Sequence, residues 1–210
     1  PYSSIVSLRD AISDTTNTTP RVALDDVNYI RNSVKATVDA YSGEVTLYAW
    51  DDTDPMLQAW QKVYPSTLKP VSDMSADLMS HVRYPTDLFK VQRAMLGTYH
   101  VDDAASFYAR DNAWKTPNDP VSQADVLQPP YYLSMKMPGQ EAPTFSMFTS
   151  FIPAAEGDGA RNVLMGYLAV DSDAGAVAGQ KAADYGKLRM LQISADVSVP
   201  GPGQVQNTFN

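Results

Sequence analysis

At 210 residues, with 44% apolar and 19% charged side chains, the chain has ordinary globular composition and enough length to bury a core. Its 24 acidic against 16 basic residues give a net charge of −8, which opposes binding to phosphate backbones, so nucleic acid is not an expected partner. Having no cysteine and only two histidines, His81 and His100, it offers no disulfide, thiolate nucleophile, thiolate zinc site or multi-imidazole site within one copy; no cofactor or metal is expected.

No run approaches the roughly 18 apolar residues that cross a bilayer, and no basic segment leads into an apolar one at the start. The chain begins at Pro1, and Gly201-Pro202-Gly203-Gln204-Val205 opens onto a new element near the end. It reads as a water-facing fragment cut from within one larger domain. Residues 13–20, small and polar without periodicity, are expected to form a mobile loop.

Over 33–50, Ser33 to Ala40 and Glu44 to Trp50 carry apolar residues at every second position around Tyr41-Ser42-Gly43, which predicts a β-hairpin. Asp54 as N-cap and Pro55 as first helical residue predict a helix with Leu57, Trp60 and Val63 or Tyr64 at helical spacing, ending before Pro65. Ser75 starts another, with Met74 and Met79 as a hydrophobic staple and Pro85 as terminator, so 75–83 is expected to be helical.

From Thr86 to Tyr99, Leu88, Val91, Met95 and Tyr99 share one stripe while Lys90, Gln92 and Arg93 fall elsewhere, an amphipathic helix with one buried face. A short helix over 102–110 follows, capped by Asp102 or Asp103. Residues 112–128 lack any pattern and are expected to wrap or to carry function. Tyr131–Met137, Thr144–Ile152, Val163–Val170 and Leu188–Ile193 read as antiparallel strands, and the Ala- and Gly-rich 171–186 as a surface insertion.

The expected class is α+β: a mostly antiparallel sheet of about five to six strands with short helices from the middle third packed on one face. We expect one domain over 1–210, with the hairpin at 33–50, a helical segment at 54–110 and antiparallel strands at 131–194.

The densest chemical cluster is His81, Arg83, Tyr84, Asp87, Lys90 and Arg93, where a break at Pro85 could join an imidazole, a guanidinium and a carboxylate. His81, Asp87 and Arg83 are therefore the candidate catalytic residues. The structural alternative is a solvated corner with Asp87 favouring the helix dipole. His100-Val101-Asp102-Asp103 is a second cluster, its aspartates equally explained as caps.

Asp171-Ser172-Asp173-Ala174-Gly175 begins like a calcium loop, but the position of the bidentate Glu is Ala182, so a turn is the better account. Pro129-Pro130-Tyr131-Tyr132 has the form of a WW-domain ligand yet runs into a strand. Asn17-Thr18-Thr19 is formally a glycosylation acceptor. Neither a Gly-x-Ser-x-Gly elbow nor a phosphate-cradling or dinucleotide-binding glycine motif is present, while a distant carboxylate pair would leave no local motif.

Several stretches in order resemble the multi-pass membrane proteins of actinobacteria and cyanobacteria grouped as uncharacterised protein family 0182. They are Val27-Asn28-Tyr29-Ile30-Arg31-Asn32-Ser33-Val34-Lys35, Val38-Asp39-Ala40-Tyr41-Ser42-Gly43 and His81-Val82-Arg83-Tyr84-Pro85-Thr86-Asp87-Leu88-Phe89-Lys90-Val91-Gln92. Further on come Tyr99-His100-Val101-Asp102-Asp103, Gln128-Pro129-Pro130-Tyr131-Tyr132, Asp184-Tyr185-Gly186-Lys187-Leu188-Arg189 and Pro200-Gly201-Pro202-Gly203-Gln204-Val205.

The resemblance implies a bundle of membrane helices followed by a large domain outside the membrane, of which this chain is a middle-to-late part, and it implies no activity. Loops 13–20, 153–162 and 171–184 exceed the family pattern. Val38 to Val45 also resembles the strand-turn-strand of PepSY domains, over one hairpin only. The expected role is a non-catalytic interaction or sensing module of the bacterial cell envelope. Its expected partners are the protein's own membrane bundle, the remainder of its domain, and envelope proteins or polymers. The alternative is a carboxylate-based enzyme acting on envelope polymers.

Overall fold

A computed structural model describes residues 11–12, 29–122, 126–154, 162–194 and 196–209. The class is α+β, with the strands of the described residues divided between two sheets. In the first, β1 (Val34–Val38) and β2 (Val45–Ala49) form the expected antiparallel hairpin, Val34 opposite Ala49 and Val38 opposite Val45. Asp39 folds the turn by accepting the backbone N–H groups of Tyr41 (2.9 Å) and Ser42 (2.7 Å). Gly43 supplies the left-handed position, φ +74°.

Helix α1 (Pro55–Val63) then crosses back so that β3 (Leu68–Pro70) lies parallel to β2, a pairing that requires such a crossover. Asp54 caps α1 by accepting the Met56 N–H at 2.9 Å. Only Leu57 of α1 is buried; Met56, Trp60 and Val63 face outward, so the apolar positions read from the sequence lie mostly on the solvent side.

Helix α2 (Ala76–His81) starts as expected at Ser75, whose Oγ accepts the Leu78 N–H at 3.2 Å. Met74 and Met79 are both fully buried, joining Tyr48, Trp50 and Ala174 in one core cluster. After Pro85, α3 (Thr86–Tyr99) runs over the span its periodicity predicted.

The larger sheet is antiparallel throughout. Its β6 (Thr144–Pro153) has β7 (Gly166–Asp171) on one edge, and on the other both β5 (Tyr131–Met135) and the two-residue β4 (Trp114–Lys115); β8 (Leu188–Gln192) borders β7. Because side chains alternate across a sheet, Met147, Phe151, Leu168 and Val170 fall on one face, where Tyr84, Leu88 and Phe89 of the α3 region cover them. Gly97 lets α3 approach β4: a Cβ there would lie 2.5 Å from the Trp114 carbonyl oxygen.

The single buried stripe expected for α3 is corrected by the packing. Lys90 and Arg93 are each 1% exposed. Lys90 Nζ donates to the Ile12 carbonyl (3.0 Å) and Arg93 Nη1 to the Gln128 carbonyl (2.9 Å), so the helix's polar side is covered as well. Val91 packs against Ala11 and Ile12. Long cationic side chains tolerate such cover when their donors reach carbonyls.

The 112–128 connection is an ordered wrap where described: Trp114 is buried and Asn118 bridges to Leu127. The 171–186 segment lies largely at the surface, as expected, with 176–178 and 180–184 exposed, but it is anchored. Its Ala174 is fully buried and Gly179 N–H donates to the Met74 carbonyl at 2.9 Å. Tyr185 packs edge-on against Trp50 (5.4 Å) and against Tyr84 (5.9 Å), joining the two clusters. Short α4 (Ala104–Ala109) is capped by Asp103, and α5 (Pro202–Phe209) follows the last strand. The expected loop 13–20 and the Asn17 acceptor lie outside the described residues.

Candidate functional site

The structure places His81 at the exposed end of α2. Its Nδ1 lies 2.7 Å from the Asp77 carbonyl and 3.0 Å from Ser80 Oγ. A carbonyl only accepts, so the proton sits on Nδ1. Arg83 turns away to the Ser80 and Val82 carbonyls (2.7 and 3.0 Å) and lies over the Phe145 ring, 5.0 Å from its centroid. Asp87 is half-exposed in the first turn of α3, with Lys90 Nζ at 3.9 Å. No hydrogen bond or ion pair among the described residues joins His81, Arg83 and Asp87.

His100 is likewise tied to its own helix, Nδ1 to the Leu96 carbonyl at 2.8 Å, and lies against Trp114 with ring centroids 3.8 Å apart. Asp103 accepts the Ser106 N–H at 2.7 Å, as a cap does. In the calcium-like segment, Asp171 is committed to Arg189 and Gln140, whereas Asp173 accepts the Gly175 N–H at 3.0 Å. Their carboxylates serve different neighbours, and no metal-holding cluster occurs among the described residues. Tyr131 and Tyr132 are strand residues of β5.

Three grooves stand out instead. One, about 320 Å³, lies between the sheet face opposite α3 and the N-terminal half of α5. Its floor is an aromatic row across three strands: Tyr131 and Phe148 have centroids 6.0 Å apart, Phe148 and Tyr167 6.5 Å. Pro200, Pro202 and Val205 close it, Ser150 Oγ donates to Gln128 Oε1 at 3.4 Å on its wall, and no charged side chain among the described residues lines it. Sequence reading missed this site because its residues come from positions 128 to 206. Only strand register sets Tyr131 opposite Phe148, and the one local signal was the aromatic content of each strand.

A second groove, about 590 Å³, includes Trp50, Asp52, Gln61 and Lys181. Lys181 Nζ donates to the Trp50 carbonyl and lies 4.9 Å from the indole centroid. The third, about 390 Å³, includes Tyr29, Arg31 and Asp54. There Asp54 accepts from Tyr29 OH (2.6 Å), Ser33 Oγ and the Met56 N–H. Burial pushes the Asp54 carboxyl up, but these hydrogen bonds outweigh it and hold its pKa below the usual carboxylate value. Among the described residues, each of these two grooves thus contains one carboxylate.

Between the sheets, burial lowers the Lys35 ammonium to about 8. Its Nζ donates to the Arg83 carbonyl at 3.2 Å and sits 5.4 Å from the Trp50 ring centre. Burial also raises the Tyr185 phenol, whose OH donates to the same carbonyl at 3.2 Å.

The family model described as uncharacterised protein family (UPF0182) matches residues 1–210. A UPF0182 protein of Leifsonia xyli subsp. xyli is 64% identical over the whole of this chain, which covers 22% of that protein. One from Clavibacter michiganensis subsp. michiganensis is 59% identical with the same coverage, and one from Tropheryma whipplei is 49% identical, with 24% of its length covered. The chain thus spans less than a quarter of these curated relatives. No solved structure matches it.

Proposed function

The chain belongs to the uncharacterised protein family UPF0182, and from that membership we propose that it is a non-catalytic interaction module of a longer bacterial protein. We place it on the outer face of the cell membrane, as one domain of an extracytoplasmic region that packs against the rest of its polypeptide and meets envelope proteins or polymers. The order of family stretches and the acidic balance support that placement. No helix among the described residues is long and apolar enough to cross a membrane, which is compatible with it.

One observation carries the non-catalytic role. Among the described residues, none of the three grooves brings together two carboxylates, or a carboxylate and an imidazole. Carboxylate-based hydrolysis of a polymer needs such a convergent pair on opposite sides of the scissile bond. The aromatic groove instead offers flat apolar walls with uncharged amide and hydroxyl groups, a lining suited to holding a ligand without transforming it.

The test uses the full-length protein in an actinobacterial host, with a photo-crosslinking amino acid in place of Tyr131 or Tyr167. A discrete crosslinked species is expected from both positions and not from Tyr108, which is exposed outside the groove. Turnover of a wall polymer by the purified full-length protein, lost in His81→Gln or Asp87→Asn, would overturn the proposal in favour of the enzyme.

A further inference from the structure

β8 is an edge strand whose outer side is open among the described residues. The hydrogen bonds that frame its pairing with β7, Asp171 N–H to the Lys187 carbonyl (3.1 Å) and Ile193 N–H to the Met165 carbonyl (2.9 Å), fix which residues face inward. Bonding alternates along an antiparallel pair, so Arg189 and Leu191 bond β7, and the backbone groups of Leu188, Met190 and Gln192 point outward. Those outward groups meet no partner among the described residues.

Exposed edges normally carry protection: an outward lysine, a proline, a bulge or extreme shortness. β8, Leu-Arg-Met-Leu-Gln, has no lysine or proline. Its one charge is turned inward, Arg189 Nη2 lying 2.9 Å from Asp171 and 3.5 Å from Asp184. Apolar side chains are half-covered on both faces, Leu188 (37% exposed) and Met190 (43%) on the α3 side and Leu191 (37%) on the other. One neighbouring strand would cover both faces at once, because each laterally half-buried residue lacks the same flank.

We propose that β8 is a docking edge, paired in the intact protein with an extended, apolar-rich strand from the same polypeptide beyond the segment described here. The length of chain available selects this occupant: the stretch matches only 22% of the Leifsonia xyli relative, so more than three quarters of such a protein can supply it without association. An intramolecular strand also docks at high effective concentration, which a second copy or a separate protein lacks. The edge adjoins the aromatic groove at Leu191, which pairs with Tyr167, whereas Tyr131 lies on β5 beyond β6 and β7, so the outward amides of β8 and a probe at Tyr131 report edge and groove separately.

Hydrogen exchange on the full-length protein tests the pairing. The amides of Leu188, Met190 and Gln192 should exchange at least about 100-fold more slowly than open-edge amides, independently of protein concentration. Benzoylphenylalanine at Gln192 should crosslink to the same polypeptide outside this stretch. Met190→Pro removes one outward donor and no bond to β7, so protection at Leu188 and Gln192 should fall while the Tyr167 and Ala169 amides, bonded across to β8, stay protected and report an intact fold. If proline disturbs β7, Met190→Lys supplies the same block by charge. Fast exchange at the three amides overturns the proposal; so does a concentration-dependent crosslink to a second copy, or a crosslink to a different protein.

Discussion

Arg189 grips the Asp171 carboxylate with two donors, Nη2 at 2.9 Å and Nε at 3.2 Å, and tethers β8 to the end of β7. Gln140 Nε2 adds a third contact at 2.8 Å from the neighbouring loop. Asp171 is 2% exposed, so removing its cationic partner strands a buried charge. Arg189→Met should therefore cost about 3 kcal/mol in urea unfolding, while Asp171→Leu combined with Arg189→Met should recover most of the loss.

Gly97 sits where α3 touches β4, and the obstructing atom is backbone, the Trp114 carbonyl oxygen. A side chain cannot rotate away from that contact, so helix and strand must separate. Gly97→Ala should destabilise by about 1–3 kcal/mol despite alanine's higher helix propensity, with loss of the Trp114 fluorescence environment as a local readout.

Asp54 predicts a pH dependence. Its carboxyl pKa is depressed in the folded chain, so its contribution is present above the unfolded value of about 3.9 and is lost as pH falls through the lower folded value. Thermal unfolding of Asp54→Asn, which keeps a capping acceptor, should show a shallower decline than the parent below about pH 4. Asp54→Ala should cost about 1–2 kcal/mol at neutral pH through the lost cap.

Lys35 has the opposite charge and the opposite window. Burial disfavours its ammonium, lowering the pKa to about 8, against about 10.4 in an unfolded chain. The unfavourable contribution is complete below pH 8 and is relieved as pH rises from about 8 to about 10.4. The parent chain should thus gain stability relative to Lys35→Met across that interval, and an NMR titration of the Lys35 side chain should give a midpoint near 8.

Loss of the aromatic groove should leave the fold standing. Tyr131→Ala removes a 42%-exposed ring from the row, so unfolding should shift by under about 1 kcal/mol while the crosslinked species at Tyr167 disappears. Retention of that species would separate the groove from any binding role.

Local chemistry made much of the fold legible. Ser75 and Asp54 announced α2 and α1 because a cap is satisfied within its own first turn, and Gly43 marked the hairpin because the turn needs a left-handed residue. The candidate site was far less legible. His81 and Asp87 drew attention by sequence proximity, yet each bonds within its own helix, whereas the groove assembles Gln128, Phe148, Tyr167 and Pro202 through register and chain reversal.

By itself, then, the sequence determined the hairpin, the helix starts, the α+β class, the family and the absence of cysteine or multi-histidine chemistry, since each depends on composition or on neighbours a few residues apart. Tertiary structure alone decided that Lys90 and Arg93 are buried, that Ala174 of the 171–186 segment joins the core, that Trp60 faces outward and that β8 has an open outer side among the described residues. Burial belongs to pairs of surfaces rather than to residues, and the strand or helix that covers a given face comes from a distant part of the chain.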